Sequence, residues 1–114
     1  MEIEYGSAFK RQLQRLARRY RHIKDDLSLV INALKKGETP GDQVTGTGHT
    51  VFKVRLKNSD NQKGKSGGYR VIYYLKTDTR RSLVTIYSKS DQGDIEPDEL
   101  RRLLSDIDHQ QATE

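Results

Sequence analysis

Three observations predict a single α+β domain. Apolar residues recur at helical spacing as far as Lys36, then at strand spacing from Thr50 to Ser88, with the polar break "GETPGD" between the two regimes. A last stripe (Leu100, Leu103, Leu104 and Ile107) returns to helical spacing. The 114 residues allow one modest core, and neither a repeat nor a linker divides them, so residues 1–109 are read as one domain and 110–114 as a C-terminal tail.

Each element has its own justification. Met1 to Tyr5 alternates, Ile3 and Tyr5 against Glu2 and Glu4, and reads as a short strand. Ser7 is the expected N-cap of a helix from Ala8 to Arg21 whose apolar face is Phe9, Leu13, Leu16, Ala17 and Tyr20. A second helix from Lys24 to Lys36 buries Leu27, Val30, Ile31 and Leu34. Asp25 and Asp26 suit its positive end, Lys35 and Lys36 its negative end, and Gly37 its termination. From Thr50 to Lys57, Phe52, Val54 and Leu56 alternate with Val51, Lys53, Arg55 and Lys57. Tyr69 to Lys76 is apolar on both faces except at Arg70, the pattern of a central strand, and Ser82 to Ser88 supplies another. Pro97 opens the final helix, which is expected to run to His109. The predicted order is β-α-α-β-β-β-α. The last three strands form an antiparallel meander, the first strand lies at an edge, and the helical hairpin covers one face as a two-layer sandwich.

Composition excludes several chemistries. Without cysteine there is no disulfide, thiolate metal site or cysteine nucleophile. His22, His49 and His109 show no metal-ligand spacing, and no metal or cofactor is expected. No signal-peptide core opens the chain and no apolar run is long enough to span a bilayer, so a soluble cytosolic protein without membrane contact is expected. The net charge is +5, and residues 50–90 hold ten of the 21 Lys and Arg, whereas the tail is acidic. Clustered cations favour polyanions, nucleic acid above all, although a solvated charged surface has the same composition.

The stretch "GKSGGYRVIYYL" poses a specific question, because Gly64-Lys65-Ser66 resembles the end of a nucleotide phosphate loop. Such a loop needs a first glycine where Ser59 stands, and a helix after it. A strand follows instead, so the segment is a hairpin connection. Arg70 then stands out, as a cation in an otherwise apolar strand needs a partner or a purpose. Lys53 and Arg55 lie on one face of the preceding strand, about 6.5–7 Å apart at strand rise. Paired strands would gather all three cations, a set suited to a phosphodiester. The other arrangement, which spacing alone favours, is a solvated basic face with Arg70 tied to an acid such as Asp91 or Asp94. The tail acids Asp94, Glu96, Asp98 and Glu99 are read as favouring a helix start.

The element order and the strings "GTGHTVFKVRL", "GKSGGYRVIYYL" and "VTIYSKSDQGDI" together resemble the RelE/ParE toxin superfamily, nearest its RelE/HigB branch. This resemblance covers essentially the whole chain and implies a RelE-like fold. It also implies the toxin half of a toxin–antitoxin pair: a metal-free endoribonuclease that cuts mRNA on the ribosome and is neutralised by a cognate antitoxin. On the matching positions it implies catalytic roles for Lys53, Arg55, Arg70, Tyr87 and Lys89. Contacts with RNA or the ribosome are implied for Lys57, Lys63, Lys65 and Tyr69. Arg70 would stabilise charge on phosphoryl oxygens, while Lys53, Lys89 and Tyr87 are alternative proton carriers. The chain has Arg55 where some relatives have lysine, and Ser90 and Glu96 where some have arginine and tyrosine. Two other activities are compatible with the fold: gyrase inhibition of the ParE kind, and non-catalytic RNA binding or regulation.

Overall fold

The computed structural model describes residues 1–61, 64 and 67–112. The elements are β1 (Glu2–Tyr5), α1 (Ser7–Ala17), α2 (Ile23–Lys35), β2 (Asp42–Val44), β3 (Val51–Leu56), β4 (Tyr69–Thr77), β5 (Arg80–Ser88) and α3 (Pro97–Ala112). The strands form one sheet in the order β1-β5-β4-β3-β2, so the fold is α+β as expected. The sheet is mixed, because β1 joins β5 in parallel while the other pairs are antiparallel. The short edge strand β2 was not legible: only Val44 of its three residues is apolar, too little for an alternating pattern.

The helix boundaries shift for local reasons. Gly6, not Ser7, is the N-cap of α1. Its N–H donates to Leu83 O at 2.9 Å, continuing the β1–β5 ladder, and a Cβ there would meet that carbonyl at 2.8 Å. The helix ends at Ala17 rather than Arg21, and the N–H groups of both Arg19 and Tyr20 turn back to Leu16 O. This turn carries the Tyr20 ring into the core, edge-on to Tyr69 with centroids 5.8 Å apart. α3 continues to Ala112, three residues past its expected end, so residues 110–112 belong to the helix.

Alternation along the strands divides the core in two. Phe9, Leu16, Ile23, Leu27, Val30 and Leu34 of the hairpin pack on Val54, Leu56, Tyr69, Val71, Tyr73, Leu83 and Ile86. On the other face, α3 lays Leu100, Leu103, Leu104 and Ile107 over Val51, Ile72, Val84 and Tyr87. The hairpin-and-sheet sandwich thus carries a partial third layer, and β4, buried on both sides, is the central strand its composition suggested. α3 is also held by its polar side, where His49 Nε2 meets Asp108 Oδ2 at 3.0 Å.

The Gly-Gly pair of the quoted stretch has a steric purpose. Gly68 lies so close to β3 that a Cβ would stand 2.0 Å from Leu56 O, and its own carbonyl accepts the Lys89 N–H at 2.8 Å. It therefore permits the approach of β4 to β3 and starts the register of three strands. Nearby, Asp60 accepts from the His22 N–H at 3.0 Å and lies 2.7 Å from His22 Nδ1, clipping the start of the β3–β4 connection to the helical hairpin. Asp26 accepts from the N–H and hydroxyl of Ser59.

Gly68→Ala is expected to lower stability by more than about 2 kcal/mol, since backbone must move to admit the methyl group; an unchanged urea midpoint would contradict this. The hydrogen bond to Asp60 raises the His22 pKa above the ordinary 6.5, and the same bond lowers that of Asp60. The His22 contribution is therefore complete below 6.5 and lost as pH rises through the folded-state value. Between pH 6 and 8, stability should accordingly fall less in His22→Ala than in the wild type, as chemical denaturation at each pH would record.

Candidate active site at the end of the sheet

The β3–β4–β5 register places Arg55 opposite Arg70 and Arg70 opposite Tyr87, one row across three strands. Two residues along β3, Lys53 lies on the same face, opposite Ile72. Lys89 follows the end of β5 and is fixed by its N–H to Gly68 O. The five residues expected to act together are thus gathered at one end of the sheet, beside the segment that leads into α3. The alternation of Lys53 and Arg55 with the buried Val54 and Leu56 aims them away from the hairpin.

Their environments differ. Arg70 is not on an open sheet surface: it is only 5% exposed, and its Nη1 donates to Tyr69 O at 3.2 Å. Arg55 is exposed at the edge of β3, beyond the residues paired with β2, and lines a cleft of about 320 Å³ between α2 and the sheet. Lys57 borders the same cleft. Burial pushes the Tyr87 phenol above its ordinary pKa; the Ile95 N–H, donating to its oxygen at 3.4 Å, and the Arg70 charge oppose that shift. A phenol so placed keeps its proton at neutral pH.

Asp94 completes the constellation. Its Oδ1 lies 3.0 Å from Lys89 Nζ, 3.7 Å from Lys53 Nζ and 3.4 Å from the Tyr87 hydroxyl. The hydrogen bond from Lys89, assisted by the charges of Lys53 and Lys89, holds its carboxyl below the usual carboxylate range. Asp94 stands outside α3, whose first-turn acids are Asp98 and Glu99. The sequence reading places Asp94 among acids that favour a helix start and, in its other arrangement, as a partner of Arg70; the contacts of Asp94 are instead with Lys53, Lys89 and Tyr87. Asp91 is committed elsewhere, to Arg19 Nη1 at 3.0 Å and to the Tyr20 hydroxyl.

The RNA-contact residues divide differently. Tyr69 is fully buried between the hairpin and the sheet, so its ring cannot stack on a base; strand alternation points it opposite to Arg70. Lys57 is exposed, while Lys63 and Lys65 lie outside the described residues. Among the described residues, no group of His, Asp and Glu has the arrangement to hold a metal ion, and no helix is long and apolar enough to cross a membrane.

A mixed sheet carrying a helical hairpin on one face and a cationic row at one end defines the class. Residues 8–113 match the family model described as the RelE toxin of the RelE/RelB toxin–antitoxin system. The chain belongs to the RelE toxin family. Its function is that of a toxin in a toxin–antitoxin system, and its partner is an antitoxin.

If the two lysines set the acidity of Asp94, Lys89→Met should move its carboxyl pKa up toward 3.8, as carbon-detected NMR titration would show. An unmoved value would contradict the assigned contact.

Proposed function

We propose that this toxin is an endoribonuclease that cuts mRNA on the ribosome and so halts translation. The observation that carries the reading is the row Arg55–Arg70–Tyr87 with Lys53 and Lys89 at the same sheet end. Two arginines abreast are a costly arrangement in a sheet, where like charges directly opposite one another destabilise the pair. A phosphodiester placed among them would offset that repulsion and take charge-assisted hydrogen bonds from the guanidinium groups.

In the proposed reaction the ribose 2′ oxygen attacks the adjacent phosphorus while the bond from phosphorus to the 5′ oxygen breaks. The products are a 2′,3′-cyclic phosphate and a free 5′ hydroxyl. One proton leaves the 2′ hydroxyl and one must reach the departing 5′ oxygen. Arg70 and Arg55 stabilise the negative charge that builds on the phosphoryl oxygens; neither exchanges protons, because guanidinium stays charged. Tyr87, kept protonated by burial, serves as a donor rather than a base. The 2′ proton is taken by the neutral amine form of one lysine, Lys53 or Lys89, while the other lysine, as ammonium, or the Tyr87 phenol gives a proton to the departing 5′ oxygen. These side chains supply both charge stabilisation and proton transfer, so the reaction requires no metal ion. A site assembled mostly from fixed cations gains from a substrate held in reactive geometry by the ribosome. Lys57, Lys63 and Lys65 are proposed to contact RNA phosphates beside the site.

In a cell-free translation system the wild-type chain should stop synthesis and leave message fragments ending in 2′,3′-cyclic phosphate. Arg70→Ala should slow cleavage by about 10²–10³-fold, the usual effect of removing one group that stabilises transition-state charge. Undiminished cleavage by this variant would remove Arg70 from the mechanism. Intact translation with failing DNA supercoiling would replace the whole reading with gyrase inhibition.

A further inference from the structure

The Asp94 contacts form an unusual local pattern. Two ammonium groups and a phenol, from β3, from β5 and from just beyond β5, converge on one oxygen of a carboxylate that belongs to neither strand. That carboxylate is itself 56% exposed, whereas the two lysine side chains it joins are about two-thirds covered. It is carried by residues 91–96, which form neither helix nor strand, and the neighbouring Gly93 has nothing within 4 Å of the place a Cβ would occupy. The cations are thus held by the sheet, while the anion sits on an irregular connection with open space beside it.

Asp94 does not suit the role of general base. Its carboxyl is held below the usual range by the lysines, and a group of lowered pKa is a weak proton acceptor at neutral pH. It is also ill placed as a structural ion pair, since half-exposed pairs contribute little to stability. What it does provide is a negative oxygen at the point where three donors meet.

We infer that Asp94 Oδ1 occupies the seat of a phosphate oxygen, as a built-in counter-anion that RNA must displace from Lys53, Lys89 and Tyr87. The inference deepens the proposed nuclease reading and rests on it for the identity of the ligand. With Asp94 in place the two ammonium groups present a net charge of +1, and with it displaced they present +2. Phosphate therefore binds against an internal competitor of the same chemistry. Competition has a second consequence. Counterions condensed on RNA are released in proportion to the net positive charge the RNA meets, so binding to the wild type, whose two lysines share a carboxylate, releases fewer ions than binding to a chain lacking that carboxylate.

The test uses the full chain and two probes, with Asp94→Asn and Asp94→Ala as variants. Inorganic phosphate is titrated while NMR follows the Nζ groups of Lys53 and Lys89. An oligoribonucleotide made uncleavable by 2′-O-methylation is titrated in parallel over a range of salt concentrations. Both variants are expected to bind phosphate about two- to fivefold more tightly than the wild type, the span that a half-exposed ion pair supports. They should also bind the oligonucleotide more tightly, with a log–log salt slope steeper by up to about 0.7 for each cation set free. Equal or weaker phosphate binding by the variants would overturn the inference, weaker binding assigning Asp94 to holding the lysines in place instead. Tighter phosphate binding without oligonucleotide binding by any of the three chains would uphold the anion seat and overturn the RNA reading.

Discussion

The site depends on one close approach, that of Gly68 to the end of β3. Because Gly68 lacks a Cβ, the Leu56 carbonyl can lie where a methyl group would otherwise stand. The Gly68 carbonyl in turn receives the Lys89 N–H. From that point Leu56, Tyr69 and Ser88 fall abreast, and the next row is Arg55, Arg70 and Tyr87. A slip of one residue would send Arg70 into the hairpin core and Tyr69 out to the cationic face, and burial of Tyr69 against Tyr20 opposes it. The hydrophobic effect on one face of the sheet thereby sets the positions of charges on the other.

Those charges are arranged against the interests of stability. Arg55 and Arg70 oppose each other across two strands, and Arg70 is almost entirely buried. Folding alone would be better served by apolar or oppositely charged residues at these positions. The helical layers, by contrast, show ordinary consistency between sequence and structure, with apolar stripes facing the sheet and basic residues facing solvent. The two arginines lie at the sheet end where Asp94 pairs with the neighbouring Lys53 and Lys89.

Much of this was legible in the sequence. The strand pattern of "VFKVRL" foretold that Lys53 and Arg55 would share a face, and the lone cation of "YRVIYYL" marked Arg70, because strand alternation is a local property. What escaped notice was set by long-range contact. The parallel pairing of β1 with β5 and the edge strand β2 depend on which strands meet, not on their composition. Tyr69 was assigned to the RNA surface because it precedes Arg70, yet neighbours in a strand face opposite ways. The extent of α1 was overestimated because Tyr20 continues the helical period, although the chain has already turned at Ala17. Asp94 acquired its meaning only when the connection after β5 was seen to bring it back between two lysines.

The central claim is that ribonucleotide phosphate lodges among Lys53, Arg55, Arg70 and Lys89. Side-chain nitrogen NMR of the chain, as an uncleavable oligoribonucleotide is added, addresses it most directly. The account predicts that the Nε signals of Arg55 and Arg70 and the Nζ signals of Lys53 and Lys89 shift together, with one common affinity. Shifts confined to the basic residues of α1, with the sheet-end nitrogens unmoved, would contradict it.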